Sequence, residues 1–235
     1  CLNWGCIPTK ALLKSAQVNE YIKHAKDFGI EAAGTPNFEA VIKRSRGVAD
    51  KMSKGVQFLM KKNKIDVIMG FGKIAGKGKL EVTAADGSKL VSKGKLEVTD
   101  KDRKKQIVEA RHTIIATGGR SRQLPTMPID GKKIIGYREA MVLPQMPKSM
   151  IVVGSGAIGV EFAYFYNAMG VEVTLIEYLP NIVPIEDEEV SKQLERSFKK
   201  AGINVMTNSS VESVDTKGAG CKVSVKTKKG DEIID

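Results

Sequence analysis

The amino-acid sequence predicts an α/β protein of 235 residues. Three observations lead to this prediction: amphipathic helical patterns before Asn63, short β-rich segments after it, and a strand, glycine turn, helix and strand in succession from Met150. With 42% hydrophobic residues, the chain is long enough to bury one large core or two modest ones. We therefore expect a globular protein.

The N-terminal part predicts two helices. Apolar residues at helical spacing indicate a helix from Ala11 to Lys26, and Pro8 stands where a helix start tolerates proline. Cys6 is therefore expected at or near a helix N-terminus. A longer amphipathic helix is predicted from about Phe38 to Lys62, where Asn63 fits a helix stop.

The hydrophobic period changes after the second helix. Ile65 to Phe71 is a short apolar run that ends in glycines, and β-rich pieces follow it, separated by turn sequences at 85–88 and 100–102. These features predict a small meander. A compact apolar strand is predicted at Thr113–Ala116, directly before the glycine-rich residues 117–119.

Proline-rich sequence then marks an extended connection. Four prolines occur between residues 125 and 147, and we expect a domain boundary close to Pro147. The predicted domains are residues 1–147 and residues 148–235.

The second predicted domain begins with a G-x-G-x-x-G sequence between two strands. A strand at Ile151–Val153 leads into this turn, a helix follows to about Met169, and a second strand at Val171–Ile176 ends at Glu177. A further helix at 188–201 and a strand at 203–206 complete the pattern.

Each part of this unit has a physical role in binding a dinucleotide. Gly154 permits the tight turn, Gly156 lets the backbone approach a pyrophosphate, and Gly159 lets the helix pack against the strand. The helix N-terminus offers N–H groups and a positive dipole end to the anion. Glu177 accepts hydrogen bonds from both ribose hydroxyls and repels a 2′-phosphate, which favours NAD over NADP. Such turns also arise where a helix crowds a strand, but the flanking elements favour the dinucleotide.

Charge and hydropathy argue against two other classes of partner. The 38 Lys and Arg against 27 Asp and Glu give a formal charge of +11, but the lysines are scattered without interleaved aromatic residues, which is poor for nucleic-acid binding. The apolar stretch Met150–Ile176 contains Glu161, Asn167 and four glycines, so we expect no membrane span there.

The three cysteines leave two possibilities. Cys1, Cys6 and Cys221 are too few and too unevenly placed for a secreted disulfide framework, and their spacing is poor for zinc. Cys1 and Cys6 are therefore either a redox pair or two ordinary thiols, and we expect no metal site.

Four blocks of sequence resemble the flavoprotein disulfide reductase family in order and spacing. The blocks are Cys1 to Lys10, Gly70 to Lys73, Ala116 to Arg120, and Gly154 to Glu161 with Glu177. The resemblance covers nearly the whole chain and implies an FAD/NAD(P)-binding, Rossmann-like two-domain architecture with a three-layer ββα arrangement. It also implies that the chain is a fragment truncated at both ends, with part of the FAD domain first and the N-terminal part of the NAD domain second.

The resemblance implies roles for particular residues. Cys1 and Cys6 would form the redox-active disulfide, with Cys1 exchanging with the substrate thiol and Cys6 facing the flavin. Lys10 and Glu161 would form an ion pair near the flavin and nicotinamide rings. The implied FAD and NAD contacts are Lys10, Gly72, Thr117, Gly118, Gly119, Gly154, Ser155, Gly156, Ala157, Ile158, Gly159, Val160, Glu161, Glu177 and Val211.

The Leu-Asn and Pro-Thr-Lys sequences within the cysteine block, together with Glu177, favour the lipoamide-oxidising members over the glutathione and mercuric reductases. The resemblance then implies FAD and NAD as cofactors, a homodimer, a lipoyl domain of a 2-oxo acid dehydrogenase complex as partner, and a role in cell redox homeostasis in a bacterial cytoplasm or a mitochondrial matrix. The alternatives are another NAD(P)H-dependent flavin disulfide reductase and a non-catalytic dinucleotide-binding module.

Three residues stand outside these implied roles. Trp4 replaces the valine usual in the family, and its bulk beside the cysteines is expected to affect access to them. We assign neither His24 nor His112 to catalysis, because the family's acid–base histidine belongs to a C-terminal domain.

Overall fold

A computed structural model describes residues 1–83 and 105–235. By spatial proximity the chain forms two compact units, of which one contains Cys1–Ser53 and Ser121–Asp235 and the other Lys54–Arg120. The mixture of helices and sheets confirms the α/β prediction and is consistent with a Rossmann-like fold. The domain boundary expected near Pro147 falls within the first unit and stays a prediction.

Helix α1 (Cys6–Lys23) begins earlier than the sequence predicted. Pro8 lies in its first turn, where the missing N–H of proline costs no intrahelical bond. The Thr9 backbone N–H and hydroxyl both donate to the Gly5 carbonyl, at 3.1 and 2.8 Å. The helix therefore extends back to Cys6, and a short 3-10 helix follows at Ala25–Phe28.

Helix α2 (Phe38–Lys62) has the bounds that its sequence predicted. The Asn37 side chain accepts the Ala40 N–H at 2.9 Å, which caps the start of the helix. At the other end, the Asn63 amide donates to the Leu59 carbonyl at 2.8 Å. Local capping at both ends explains why the sequence defined this helix well.

The Lys54–Arg120 unit contains a three-stranded antiparallel sheet in which each strand pairs with the next one along the chain. Its strands are β1 (Phe71–Gly76), β2 (Lys79–Thr83) and β3 (Lys105–Glu109). They correspond to part of the predicted meander, whereas the turns expected at 85–88 and 100–102 lie outside the described residues.

The strand predicted at Thr113–Ala116 is not present. Ile114 is 91% exposed and Ile115 is 70% exposed, and no described strand pairs with this segment. Apolar composition alone does not make a strand, because a strand needs the backbone hydrogen bonds of a neighbour.

The other unit contains the predicted strand–turn–helix–strand pattern within a three-stranded parallel sheet, whose strands pair in chain order. A very short helix α3 (Tyr137–Ala140) precedes it. The further elements are β4 (Ser149–Val153), α4 (Ala157–Met169), β5 (Glu172–Ile176), α5 (Glu188–Lys200) and β6 (Asn204–Met206). A separate antiparallel sheet follows, formed by β7 (Ser210–Asp215), β8 (Lys222–Thr227) and β9 (Gly230–Ile234).

The core of this unit lies where α1 packs against α4. Leu12 and Ala16 of α1 are fully buried in the same cluster as Phe165 and Tyr166 of α4. The Tyr166 hydroxyl donates to the Ala140 carbonyl at 2.6 Å, and burial raises the pKa of this phenol above its ordinary value. This packing fixes the cysteine-bearing helix against the helix that follows the glycine turn.

In the part of the chain that the structure describes, no helix could cross a membrane. No helix there combines the length and the apolarity that a bilayer requires.

Candidate active site

The two N-terminal cysteines lie next to each other at the start of α1. Their Sγ atoms are 2.8 Å apart, and both side chains are exposed thiols. This distance exceeds the length of a disulfide bond, about 2.05 Å, by less than 1 Å, so a small movement of either side chain brings the sulfurs within bonding distance. The pair is thus placed to interconvert between a dithiol and a disulfide, and its exposure lets another molecule's sulfur reach it.

Gly5 makes the tight loop between the cysteines possible. A Cβ added to Gly5 would lie 2.9 Å from the Cys1 Cα and 3.6 Å from its Sγ. The Cys1 carbonyl also accepts the Ile7 N–H at 3.1 Å, which ties the loop to the first turn of α1. Cys6 is the first residue of that helix, at the end where the helix dipole is positive.

Lys10 and Glu161 form an ion pair between α1 and α4. Lys10 lies one turn after Cys6, and Glu161 lies in the second turn of the helix that begins at the glycine motif. The ammonium side chain remains 62% exposed and the carboxylate side chain 26% exposed. The structure therefore joins the cysteine block to the dinucleotide block through this pair, in an accessible position.

Trp4 packs against two arginine side chains. The Arg46 guanidinium lies 4.2 Å from the centre of its ring, and that of Arg138 lies 5.8 Å away. The indole remains 37% exposed. The ring is thus held by cations at the edge of the redox loop.

The glycine turn has the geometry that a dinucleotide pyrophosphate needs. Gly154 has a φ of +95°, which favours glycine, and a Cβ at Gly159 would lie 1.9 Å from the Gly154 carbonyl oxygen. A Cβ at Gly156 would instead meet nothing within 4 Å. Gly156 is the N-cap of α4, and no described side chain caps that helix. The turn therefore fits an anion placed against the first N–H groups of α4.

Glu177 is held directly behind this turn by a buried network. Its Oε2 accepts the Ser155 N–H at 2.8 Å and the Ser155 hydroxyl at 2.6 Å, while its Oε1 accepts the Leu179 N–H at 2.8 Å. Ser155 is fully buried and Glu177 is 7% exposed. The Ser155 hydroxyl in turn accepts the Val183 N–H at 3.2 Å. The end of β5 and the loop after it are thereby tied to the glycine turn.

The net effect of this environment lowers the pKa of Glu177 below its ordinary value. Burial acts to raise this pKa, but hydrogen bonds from the Ser155 side chain and from the backbone of Leu179, Ser155 and Tyr178 together outweigh burial. The carboxylate is therefore ionised at neutral pH, and its expected contact with the ribose of NAD stays a prediction.

The remaining predicted contacts of the glycine block differ in exposure. Ala157 and Ile158 are exposed at the start of α4, whereas the Val160 side chain is buried in the core. Val211 lies in β7 and packs, half-buried, against the cluster that contains Ile176. Val160 and Val211 are therefore directed into the protein interior, and their expected contact with NAD stays a prediction.

The predicted flavin contacts in the Lys54–Arg120 unit are exposed and open. Gly72 lies in β1, and a Cβ there would meet nothing within 4 Å. Thr117 and Gly119 flank Gly118, whose φ is +78°. Open backbone of this kind fits the close approach of a cofactor, and the role of these residues stays a prediction.

Sequence reasoning missed two features of the site. Ser155 was expected only as a cofactor contact, although its buried hydroxyl carries much of the Glu177 network. Nothing in the sequence distinguished Arg46 from other charged residues of its helix, and its contact with Trp4 was seen only in the structure. Among the described residues, no group of three or more His, Cys, Asp and Glu side chains could hold a metal ion.

The histidines lie apart from these contacts. His24 lies 3.7 Å from carboxylate oxygens of Glu20 and Asp27 on the surface of the first helical segment. His112 is exposed in the Lys54–Arg120 unit. Neither makes a described contact with the cysteines or with Glu161.

Comparison with curated proteins gives relatives that are named dihydrolipoyl dehydrogenase. The chain is 46% identical over 222 residues to a dihydrolipoyl dehydrogenase of Rhizobium etli, covering 94% of this chain and 46% of that protein. It is 41% identical to the dihydrolipoyl dehydrogenase of Bacillus subtilis, covering 100% of this chain and 48% of the relative. The chain thus spans about half the length of the curated relatives that it matches.

Solved structures show the same fold. LpdA from Mycobacterium tuberculosis matches with a TM-score of 0.82 and 27% identity, over 99% of this chain and 47% of that one. The HOCl-induced flavoprotein disulfide reductase RclA from Escherichia coli matches with a TM-score of 0.73 over 99% of this chain and 45% of that one, at 22% identity. The second likeness concerns the fold alone.

A family profile accounts for nearly the entire sequence. The profile described as pyridine nucleotide-disulphide oxidoreductase matches residues 1–234. Members of this family are FAD- and NAD-dependent. With the paired cysteines, the glycine turn and the acidic residue after β5 all present, the chain belongs to the pyridine nucleotide-disulphide oxidoreductase family.

Proposed function

We propose that this chain supplies the disulfide and dinucleotide parts of a dihydrolipoyl dehydrogenase, which oxidises dihydrolipoamide and reduces NAD. The observation that carries the proposal is the contact between Cys1 Sγ and Cys6 Sγ at 2.8 Å, on a helix whose next turn is ion-paired to the dinucleotide helix. A disulfide that opens and closes and a coenzyme turn thus share one rigid α1–α4 core. The dihydrolipoyl dehydrogenases that match this chain at 41–46% identity support the same proposal.

The cysteines perform thiol–disulfide exchange with the dithiol substrate. A substrate thiolate attacks Cys1 of the Cys1–Cys6 disulfide, a mixed disulfide forms, and Cys6 leaves as a thiolate. The second substrate thiol then attacks the substrate sulfur that is bonded to Cys1. This step closes the lipoamide ring and releases Cys1 as a thiol. Two electrons and two protons leave the substrate, and both cysteines end up reduced.

Two features of the chain serve this exchange. The start of α1 stabilises the Cys6 thiolate as it leaves, because the helix dipole is positive there. The exposure of Cys1 lets the substrate sulfur approach without displacing the core. The chemistry that FAD would supply, when bound, is electron transfer between the reduced cysteines and NAD.

The chain's own residues hold the coenzyme and its charges. The first turn of α4 binds the pyrophosphate of NAD, and the ionised Glu177 binds the adenine ribose. Lys10 presents its ammonium beside Glu161, where it orients and electrostatically tunes the flavin. Gly72 and Thr117 to Gly119 accept the flavin cofactor through close backbone approach, Gly72 and Gly118 being without Cβ contacts.

Partners and location follow from the same proposal. The dithiol substrate is carried by a lipoyl domain of a 2-oxo acid dehydrogenase complex, and the intact enzyme is a homodimer. We place it in a bacterial cytoplasm or a mitochondrial matrix. The names of the relatives support the lipoyl partner, and size-exclusion chromatography with light scattering tests the dimer.

A substrate panel tests the proposed reaction. The flavin-loaded protein is assayed for NAD reduction by dihydrolipoamide, and for NADH- or NADPH-dependent reduction of glutathione disulfide and Hg²⁺. Turnover with dihydrolipoamide and NAD at least about tenfold above the other pairs supports the proposal. Preference for glutathione disulfide or Hg²⁺ points to another flavin disulfide reductase, and binding of NAD without any turnover points to a dinucleotide-binding module.

A further inference from the structure

Three consecutive residues of α2 hold the backbone of the cysteine segment. We call Arg44, Ser45 and Arg46 the α2 clamp. Its hydrogen bonds run from Arg44 Nη1 to the Ala11 carbonyl at 2.8 Å, from Ser45 Oγ to the Pro8 carbonyl at 2.9 Å, and from Arg46 Nη1 to the Asn3 carbonyl at 2.6 Å. The acceptors lie on both sides of Cys6.

The clamp works because of the order of long and short side chains. Successive residues of a helix project about 100° apart, so three neighbours reach one partner only if the outer two curl back toward it. Ser45 is fully buried and faces the contact directly, whereas the flexible arginines on either side reach carbonyls at the two ends of the segment. The polar run R-S-R therefore has a specific fit to this backbone.

Arg46 holds the loop in two ways at once. Its guanidinium donates to the Asn3 carbonyl and also lies 4.2 Å from the ring centre of Trp4, the next residue in the chain. Asn3 and Trp4 lie inside the C-x4-C loop, between Cys1 and the Gly5 that precedes α1. A guanidinium that binds both the backbone and the ring restrains the part of the loop that α1 does not hold.

We propose that the α2 clamp is a positioning device that keeps the Cys1–Cys6 loop closed and so sets the ease with which its disulfide is reduced. This inference rests on the proposed redox function of the two cysteines. A loop held with its sulfurs 2.8 Å apart raises the effective concentration of one thiol at the other. Disulfide formation then loses little chain entropy, and the oxidised form is favoured.

The direction in which a clamp variant shifts reduction of the Cys1–Cys6 disulfide distinguishes a positioning role of the clamp from the effect of its positive charge alone. When the disulfide is reduced, its S–S bond breaks and a buffer dithiol supplies two electrons and two protons. Loss of the clamp lets the reduced loop open, which favours reduction. Loss of a nearby positive charge alone acts in the opposite direction, because a cation stabilises the thiolate of the reduced form.

The test is a redox titration of the flavin-loaded protein in dithiothreitol buffers. Alkylation trapping and peptide mass spectrometry report the Cys1–Cys6 peptide. In Arg46→Met, which keeps side-chain length but has no donor, half-reduction is expected at an about fivefold lower ratio of reduced to oxidised dithiothreitol, as for one lost hydrogen bond. That factor equals about 20 mV at roughly 30 mV per tenfold change.

Companion variants decide between the explanations. Arg46→Lys restores a donor and is expected to shift less, Trp4→Val removes only the ring and is expected to shift least, and Lys43→Met removes an exposed charge from the same helix without a shift. An Arg46→Met titration equal to the wild type, or shifted toward harder reduction, overturns the clamp. A wild-type protein that never forms the Cys1–Cys6 disulfide overturns the proposed function itself.

Discussion

The cysteine loop and the glycine turn both begin a helix, yet they differ in how they meet solvent. Cys1 and Cys6 are exposed, and the Lys10 side chain, one helical turn after Cys6, is 62% exposed. Ser155 and Glu177 are buried, and each of their polar groups has a partner in the protein. The two sites share one α1–α4 core but use opposite degrees of burial.

The difference follows from what each site has to do. A thiol that exchanges with another molecule must be reachable, so its geometry is restrained through the backbone while its sulfur is left open. A carboxylate that selects a ribose must stay ionised in a fixed place, which burial permits only when hydrogen bonds outweigh desolvation. Changes at the first site should therefore alter chemistry, and changes at the second should alter both binding and stability.

The largest effect is expected for Cys6→Ser. The variant can form no Cys1–Cys6 disulfide, so dihydrolipoamide-dependent NAD reduction should fall by more than about a thousandfold, as when a covalent catalytic group is lost. Binding of NAD, measured by calorimetry, should not change. Cys221→Ser provides the matched control and should retain full turnover. Equal loss in both variants would contradict the assignment of the redox pair.

A pair of glycine variants tests how closely the glycine turn packs against the helix that follows it. Gly159→Ala places a Cβ 1.9 Å from the Gly154 carbonyl oxygen, so the helix must move. The free energy of unfolding in urea should fall by about 2 kcal/mol, within the usual range for overpacking. Gly156→Ala points into open space and should leave stability nearly unchanged while weakening NAD binding. The reverse ranking of the two stabilities would contradict the described turn.

The sequence anticipated these elements unevenly, for physical reasons. The glycine unit and α2 were predicted well because periodicity, glycines and Asn caps are local features. Pro8 correctly predicted that Cys6 lies at a helix N-terminus, but the apolar period indicated α1 only from Ala11, because the first turn of the helix carries no such period. Arg46 and the Ser155 hydroxyl could not be identified, since their partners are distant in the chain and polar residues give no periodic pattern.

Ser155→Ala should produce a moderate effect on binding with a distinctive pH dependence. It removes the 2.6 Å hydrogen bond to Glu177 that helps to lower the pKa of this carboxyl. NAD affinity at neutral pH should fall by about fivefold, the value of roughly one hydrogen bond.

The fall in NAD binding at acid pH shows in which direction Ser155→Ala shifts the pKa of Glu177. In the wild type the folded pKa lies below the ordinary value, so Glu177 stabilises the fold above that value and loses this contribution only as pH falls through the lowered one. In Ser155→Ala the loss should begin at higher pH, in binding and in stability alike. Ser191→Ala, also a buried serine, is the matched control. Coincident profiles for wild type and Ser155→Ala would contradict the network.

The smallest effect on stability is expected for Lys10→Met, although Lys10 and Glu161 form a close ion pair. The Lys10 side chain is 62% exposed, so water and salt screen most of the attraction, and unfolding in urea should change by less than about 0.5 kcal/mol. Glu161→Gln should give a similar value. Flavin reduction by dihydrolipoamide, followed by stopped flow, should nevertheless slow clearly, because the Lys10 charge is proposed to act on the flavin. A stability loss above about 1 kcal/mol would mean that the pair supports the fold rather than the chemistry.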